Sequence, residues 1–595
     1  MRVPLGLFLF ILFSFAALPC VAVDARGQAA EVCPRGTVGG TVPEPADLRS
    51  KDGVLRVEFS YRKFIDSQGL TRYCYIDKDG RQSPTLRVKP GDQVTLRLRN
   101  ELPTPGGAAS DSHTHAMAGH PTEAGVCSGG PMTAAVTNLH FHGLSIPPVC
   151  HQDETLKTLI QPGGEPFEYS FKIPADQPPG LYWYHPHVHG FNKEHMLGGA
   201  SGALIVEGIE TANREVSGLP ERVLVIRDQE LMHPDAAPEQ TDSMPPPQVL
   251  RDAEGDILNS GTGGGKPAKD LSINFVPVPY PKYEPAVIKM KPQERQLWRV
   301  LNASSITYLD LQLLFNDRPQ TMGVVAIDGV PVHYNGNTAQ SVVWKQHLLI
   351  PPAGRVEFIA KGPKPGARAS LVTRTVDSGP VGENDPTRPL ATILTADDAP
   401  EPQSQLPASP AQLTAPHAAP LADVVPARTR KLYFSETPQD PKDPNSPTTF
   451  YLTVDGNTPA PFDPSASLPN VVVRQGDVED WIIENRTKEL HDFHIHQTHF
   501  QLLQWNGVPV DEPYLRDTVN VAYWDGTSPV YPSVKLRIDF RNPDIVGTFL
   551  YHCHLLEHED GGMMGTIRVD PQSATNSTGE DRQSGRAAAR SNDSR

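Results

Sequence analysis

The sequence predicts an all-β protein built from three copies of one β-sandwich domain. Three observations predict it. The first is texture: 48 glycines and 61 prolines in 595 residues, with short apolar alternations such as QVTLRLRN between them. That is the pattern of strands and turns, not of helical bundles. The length also exceeds what a single core supports and suggests about three or four domains. The second is a strand-like segment that occurs three times: VKPGDQVTLRLRN at 88–100, MKPQERQLWRVLN at 290–302 and VRQGDVEDWIIEN at 473–485. Each copy is a turn with an acidic residue leading into a strand that ends in Asn. Copies about two hundred residues apart mean repeated domains rather than a solenoid. The third is a set of paired motifs. IDGVPV (327–332) matches WNGVPV (505–510), GLYWYHPH (180–187) matches GTFLYHCH (547–554), and NLHFHG (138–143) matches DFHIHQ (492–497).

Taken in order, residues 1–25 read as a secretory leader. One Arg precedes an apolar run from Leu5 to Leu18, too short to span a bilayer, and small residues follow, with cleavage after Ala22 or Ala25. Pro19 before Cys20 argues against a lipoprotein signal. Domain 1 is expected at 50–210, with a long Gly/Ala/His-rich loop over 104–133, and domain 2 at 218–395, with a loop over 259–270. Residues 396–428, rich in Pro and Ala, read as an extended linker. Domain 3 is expected at 429–570 and a polar, disordered tail at 571–595. The formal net charge of -16 comes with no basic stripe, which argues against nucleic acid as a partner. No later segment is apolar enough to span a membrane, so a soluble exported protein, secreted or periplasmic, is expected.

Export permits disulfides. Once Cys20 leaves with the leader, Cys33, Cys74, Cys127, Cys150 and Cys553 remain. Sequence order suggests Cys33–Cys74 and Cys127–Cys150, although four cysteines allow three connectivities. Cys553 is then unpaired, and a free thiol in an exported protein calls for a reason such as a metal.

The histidines supply one. Six His-x-His pairs occur among 21 histidines, where chance gives roughly one. Four of the six sit at matching places in the first and third repeats: His140/His142, His185/His187, His494/His496 and His552/His554. On a strand, residues i and i+2 share a face, so each pair offers two imidazoles side by side. Eight imidazoles exceed the needs of one ion and suit a cluster of metals that favour imidazole: copper, zinc, iron or nickel. Cys553, between His552 and His554, faces the other way and points to a second site. His491, His558 and Met563 are its available partners, and Cys, two His and a weak Met make a trigonal electron-transfer copper site. Zinc competes for Cys and two His, but zinc has no use for an electron path or for eight further histidines. Domain 2 has no histidine from Pro234 to Val332 and keeps the fold without the site.

HFHG, YHPH, HDFHIH and HCHLLEHEDGGMM resemble the four copper signatures of the multicopper oxidases, the laccase-like three-domain family. The motifs occur in order across nearly the whole mature chain, and the last resembles the bacterial copper-efflux oxidases closely. The resemblance implies three cupredoxin-like Greek-key β-sandwich domains and four coppers per chain: one type 1, one type 2 and two type 3. It assigns His491, Cys553, His558 and axial Met563 to type 1 copper, and His140 and His494 to type 2. His142, His185, His187, His496, His552 and His554 go to the type 3 pair. Pro186 stands where Cys553 stands, so domain 1 should lack a type 1 site. Glu559 matches a proton-relay acid of the family. Asp153 is the domain 1 candidate, at a spacing that departs from the efflux oxidases.

The implied function is oxidation of phenols or aromatic amines, one electron at a time, coupled to reduction of O2 to water. The implied partners are a small reducing substrate and O2, with the chain a monomer. A cuprous or other metal-ion oxidase is the alternative within the family; the scarcity of methionine, 10 in all, argues against it. A two-domain copper nitrite reductase would not need eight paired histidines. A non-enzymatic structural cupredoxin protein would have lost ligands, and none is missing. His113, His115 and His120 read as a solvated loop, with copper collection as the other possibility. His189 is expected not to ligate and His499 to be structural. Sequons at Asn302, Asn485, Asn576 and Asn592 matter only in a glycosylating host; the first two end the repeated strand and could instead serve a turn.

Overall fold

In a computed structural model of the chain, the residues described are 32–104, 125–237, 265–334, 341–408, 420–421, 423–440, 446–512 and 514–572. The leader, His113, His115, His120, much of the linker and the tail lie outside them. The described chain is almost entirely strand, gathered into six sheets. A five-stranded and a four-stranded sheet comprise strands between Asp47 and Val206. A nine-stranded and a six-stranded sheet follow, and a seven-stranded and a five-stranded sheet take the strands from Arg428 onward. Each pair of sheets encloses its own apolar core. The first core contains Leu55, Leu96, Phe141 and Tyr184; the second Leu224, Trp298, Leu311 and Leu371; the third Phe434, Trp481, Phe493 and Phe549.

The segment repeated three times occupies the same slot in all three units. Gln93–Asn100, Arg295–Asn302 and Val478–Asn485 each run parallel to the strand Val54–Ile65, Pro220–Gln229 or Arg428–Pro438 on one side. Each is antiparallel to Phe167–Lys172, Arg355–Lys361 or Ser533–Asp539 on the other. In the first copy alternate side chains Val94, Leu96 and Leu98 turn inward, as a strand of period two requires.

The terminal Asn does the same work in each copy. The Asn100 amide donates to the carbonyls of Ala135 and Ile160, and its oxygen accepts from Leu102 N–H. Asn302 joins Thr307, Ile350 and Ser304 in this way, and Asn485 joins Glu489, Val521 and Thr487. All three are buried. The sequons at Asn302 and Asn485 are therefore folding devices with no face open to a glycan.

The first part of the expected linker adds to a sheet: Ser404–Gln405 pairs with Pro220–Glu221. The bridges Cys33–Cys74 and Cys127–Cys150 both form, and Cys553 is a buried free thiol. Among the described residues, no helix is long and apolar enough to cross a membrane.

Candidate metal centres

The histidine strands are sheet neighbours. His140–His142 pairs antiparallel with Gly180–His185, setting His140 opposite His185. His491–Ile495 pairs with Gly547–Cys553, setting His494 opposite His552 and Phe493 opposite Cys553. The two sheet edges meet so that imidazoles from the first unit lie on those from the third. His140 stacks on His496 and His142 on His494, each at 3.9 Å between ring centroids. All eight rings are buried.

Ring nitrogens of His142, His185 and His554 lie within 4.8 Å of one another, as do those of His187, His496 and His552. Those trios share no member and leave His140 and His494. The outward nitrogens are tied down. His140 Nδ1 is 3.0 Å from Asp153, His185 Nδ1 is 2.9 Å from the Pro186 carbonyl, His494 Nδ1 is 2.8 Å from the Asp517 carbonyl, and His552 Nδ1 is 3.0 Å from the Cys553 carbonyl. Bonds of this kind fix ring orientation and tautomer. Several ring nitrogens have no hydrogen-bond partner: Nε2 of His140, His185 and His494, Nδ1 of His142, and both nitrogens of His554. In the other trio His552 Nε2 lies 3.1 Å from His496 Nε2 and 3.4 Å from His187 Nε2. A buried polar atom without a partner costs about 1–3 kcal/mol, and here several converge. Burial pushes His142, His185, His187, His494, His496 and His554 far below the usual imidazole range. Neutral rings with lone pairs aimed at a shared space fit copper by ligand type.

The second site forms on the other face of the same strand. Cys553 Sγ is 3.6 Å from His491 Nδ1 and 3.7 Å from His558 Nδ1, and the two nitrogens are 3.0 Å apart. His558 comes from the short helix Leu556–Asp560 that follows the strand. Met563 is buried in the same core and joined to both neighbours by backbone bonds: Cys553 N–H donates to its carbonyl, and its N–H donates to the His558 carbonyl. Burial pushes the Cys553 thiol up and holds His558 down at about 3. Thr487 Oγ1 lies 2.8 Å from His491 Nε2, and Phe450 stacks on His558 at 4.4 Å.

Both candidate acids are in contact with histidines. Glu559 Oε2 is 3.1 Å from His552 Nδ1, and Asn192 donates to Oε1. Burial favours its neutral form, but His552 and His554 outweigh burial and hold the carboxyl below its usual range. Asp153, fully buried, meets His140 and accepts from Phe141 N–H and Gln497. His189 packs edge-on against Phe462, and His499 Nε2 is 3.1 Å from the Asp328 carbonyl.

Four polar residues of the sites were not anticipated. Asp517 has its carboxylate 3.3 Å from His142 Nε2, and Arg355 grips it with two bonds of 2.6 Å. Asp328 accepts from the backbone of Asp517 and Thr518. Glu489 Oε1 lies 3.3 Å from His558 Nε2; burial and then the adjoining Glu436 push its carboxyl well up. A cavity of about 520 Å³ is lined by Trp344, Trp505 and Tyr514 and also by Asp328, Arg355 and Asn520.

Two family models described as multicopper oxidase match residues 132–211 and 437–573. The multicopper oxidase mco of Staphylococcus haemolyticus is 25% identical over 496 residues, 82% of this chain and 81% of that protein. A laccase of Bacillus subtilis is 22% identical over 512 residues, 82% of this chain and 88% of its own length. Among solved structures, a multicopper oxidase from Campylobacter jejuni has the same fold, with a TM-score of 0.61 at 23% identity over 92% of this chain and 97% of the other.

Proposed function

The chain belongs to the multicopper oxidase family, and from that premise we propose a laccase-like reaction with its residues in named roles. It is a copper oxidoreductase with O2 as acceptor. In our reading a phenol or aromatic amine is oxidised one electron at a time beside His491, Cys553, His558 and Met563, which would hold the copper that takes the electron. Four electrons and four protons then reduce O2 to two waters among the eight histidines. The observation that carries this is that two trios sharing no ring, His142/His185/His554 and His187/His496/His552, each gather within 4.8 Å, while His140 and His494 gather with His142. This supports a type 3 pair held by the trios and a type 2 ion held by His140 and His494. Copper at these sites would supply one-electron redox chemistry and O2 binding.

The chain's own contributions follow from connectivity. Cys553 is bonded through the backbone to both His552 and His554, a covalent path between the two sites. The carbonyls of Asp517, Pro186 and Cys553 orient rings. Glu559 and Asp153 are our candidates for delivering protons, from the His552 side and the His140 side. The leader-like 1–25 and the two disulfides support a secreted or periplasmic location. Domain limits of 50–210, 218–395 and 429–570 remain our proposal.

One observation favours the metal-ion reading: Glu489 stands against His558, with Glu436, Glu383 and Glu557 around it. An acidic set at the electron-entry ligand suits a cationic donor. The test is copper analysis followed by steady-state oxidation of a phenol and of Cu(I) or Fe(II). About four coppers per chain and faster phenol turnover support the laccase-like reading. Faster metal-ion turnover replaces it, and one copper or none supports a structural protein.

A further inference from the structure

We propose that Arg355, in the middle unit that carries none of the twelve candidate ligands, is a positioning residue for the eight-histidine centre. This rests on the copper reading above and adds a third participant to it. Arg355 is fully buried, and its guanidinium bonds to all three units. Nη1 and Nη2 each donate to Asp517 at 2.6 Å, Nε donates to the Leu181 carbonyl at 3.3 Å, and Nη1 also reaches its own unit at the Ala353 carbonyl, 3.2 Å away.

Both of its outer contacts lead to histidines. Asp517 accepts from His494 Nδ1 through its carbonyl and stands 3.3 Å from His142 Nε2 through its carboxylate. Leu181 is on the strand that carries His185, two residues before Trp183, which stacks on His185 at 4.1 Å. His142 leaves Nδ1 facing inward because Nε2 is turned to Asp517.

The middle unit also fixes the backbone behind the pair. Asp328 takes Arg355 N–H on Oδ1 at 2.9 Å and, on Oδ2, both Asp517 N–H and Thr518 N–H at 3.2 Å. The turn after His142 is shaped around the pair. Gly143 has φ +87°, and a Cβ there would sit 2.6 Å from Arg355 Nη2 and 2.7 Å from Asp517 Oδ2. Only a planar fork of five N–H donors makes this set; a lysine ammonium on a flexible stem cannot span it. A stability role alone would need none of this aim. Arg299 shows the contrast: equally buried, it bonds Glu221 and Glu357, and although Glu357 accepts Leu181 N–H on the His185 strand, the set does not include Asp517, the residue that meets His142 and His494.

The experiment compares copper-loaded wild-type protein with Arg355→Lys, Asp517→Asn and Arg299→Lys. The readouts are copper affinity against a chelator, the type 2 EPR signal and the blue type 1 absorption. Arg355→Lys and Asp517→Asn are expected to weaken copper binding by the eight-histidine centre by about 10- to 100-fold, the range for lost outer-sphere support. Asp517→Asn acts through the carboxylate at His142, since the carbonyl at His494 is kept. They should shift the type 2 signal and leave the blue absorption in place, while Arg299→Lys lowers thermal stability alone. Asp517→Asn keeps side-chain shape and decides the matter if Arg355→Lys fails to fold. The proposal is overturned if Asp517→Asn keeps wild-type affinity and EPR, or if Arg299→Lys shifts the signal equally. Wild-type protein lacking a type 2 signal would instead sink the copper reading on which it rests.

Discussion

The first and third units use one strand design twice, and they differ on a single face. GLYWYHPH and GTFLYHCH each end in two histidines that face the shared cluster. The first ring of each is oriented alike, His185 Nδ1 by the Pro186 carbonyl at 2.9 Å and His552 Nδ1 by the Cys553 carbonyl at 3.0 Å. The side chain between the histidines points away, to Pro186 in one unit and to Cys553 in the other. The aligned motifs place Thr137 opposite His491 and Phe191 opposite His558, while Met196 stands opposite Met563. The first unit therefore lacks three of four donors on that face and keeps every donor on the cluster face. A strand's period of two lets one face hold a shared centre while the other gains or loses a private one.

Breaking the third-unit face has the largest expected effect. Cys553→Ser should abolish the blue absorption and substrate oxidation together, read by visible spectroscopy and steady-state assay. Pro186→Cys sharpens the comparison: with Thr137 and Phe191 in place of histidines, no new blue copper should form, and a second blue band would contradict the contrast. Met563→Leu should retain blue copper and raise its potential in a redox titration, because a weak donor to the oxidised ion is lost.

Smaller effects test the common scaffold. The Asn at the end of the repeated strand makes three bonds in every copy, so Asn485→Ala should cost about 1–3 kcal/mol in denaturant unfolding. Between the first two units, Glu221 bridges Arg87 and Arg299. Burial favours its neutral form, but Arg299 and Arg87 outweigh burial and hold it at about 2. A depressed acid stabilises the fold above its unfolded pKa and loses that stability as pH falls through the folded value. Glu221 should thus contribute about 3 kcal/mol at neutral pH, lost between about pH 4.5 and pH 2. Glu221→Gln should flatten unfolding free energy against pH in that window.

The cluster was legible because its signal is local and repeated. A His-x-His pair declares a shared face in three residues, and four pairs in matching repeats declare a meeting of strands. Cys553 was legible because its neighbours fix the opposite face. Asp517, Arg355 and Glu489 were not, since each is one charged residue in an ordinary strand or turn. Arg355 finds Asp517 162 residues away, and no periodicity marks such a pair. The spacing of Asp153 departs from that of the efflux oxidases, and Asp153 nonetheless reaches His140 Nδ1 at 3.0 Å. The turn role of Asn302 and Asn485 was visible as a possibility, but burial was needed to rule out a glycan.

The central claim is that Cys553 joins two separate metal sites on opposite faces of one strand. Copper content and EPR of Cys553→Ser test it most directly. If the sites are separate, the variant retains about three of four coppers, keeps a type 2 signal and loses all blue colour. A variant that stays blue, or one that loses the type 2 signal along with the blue, would contradict it.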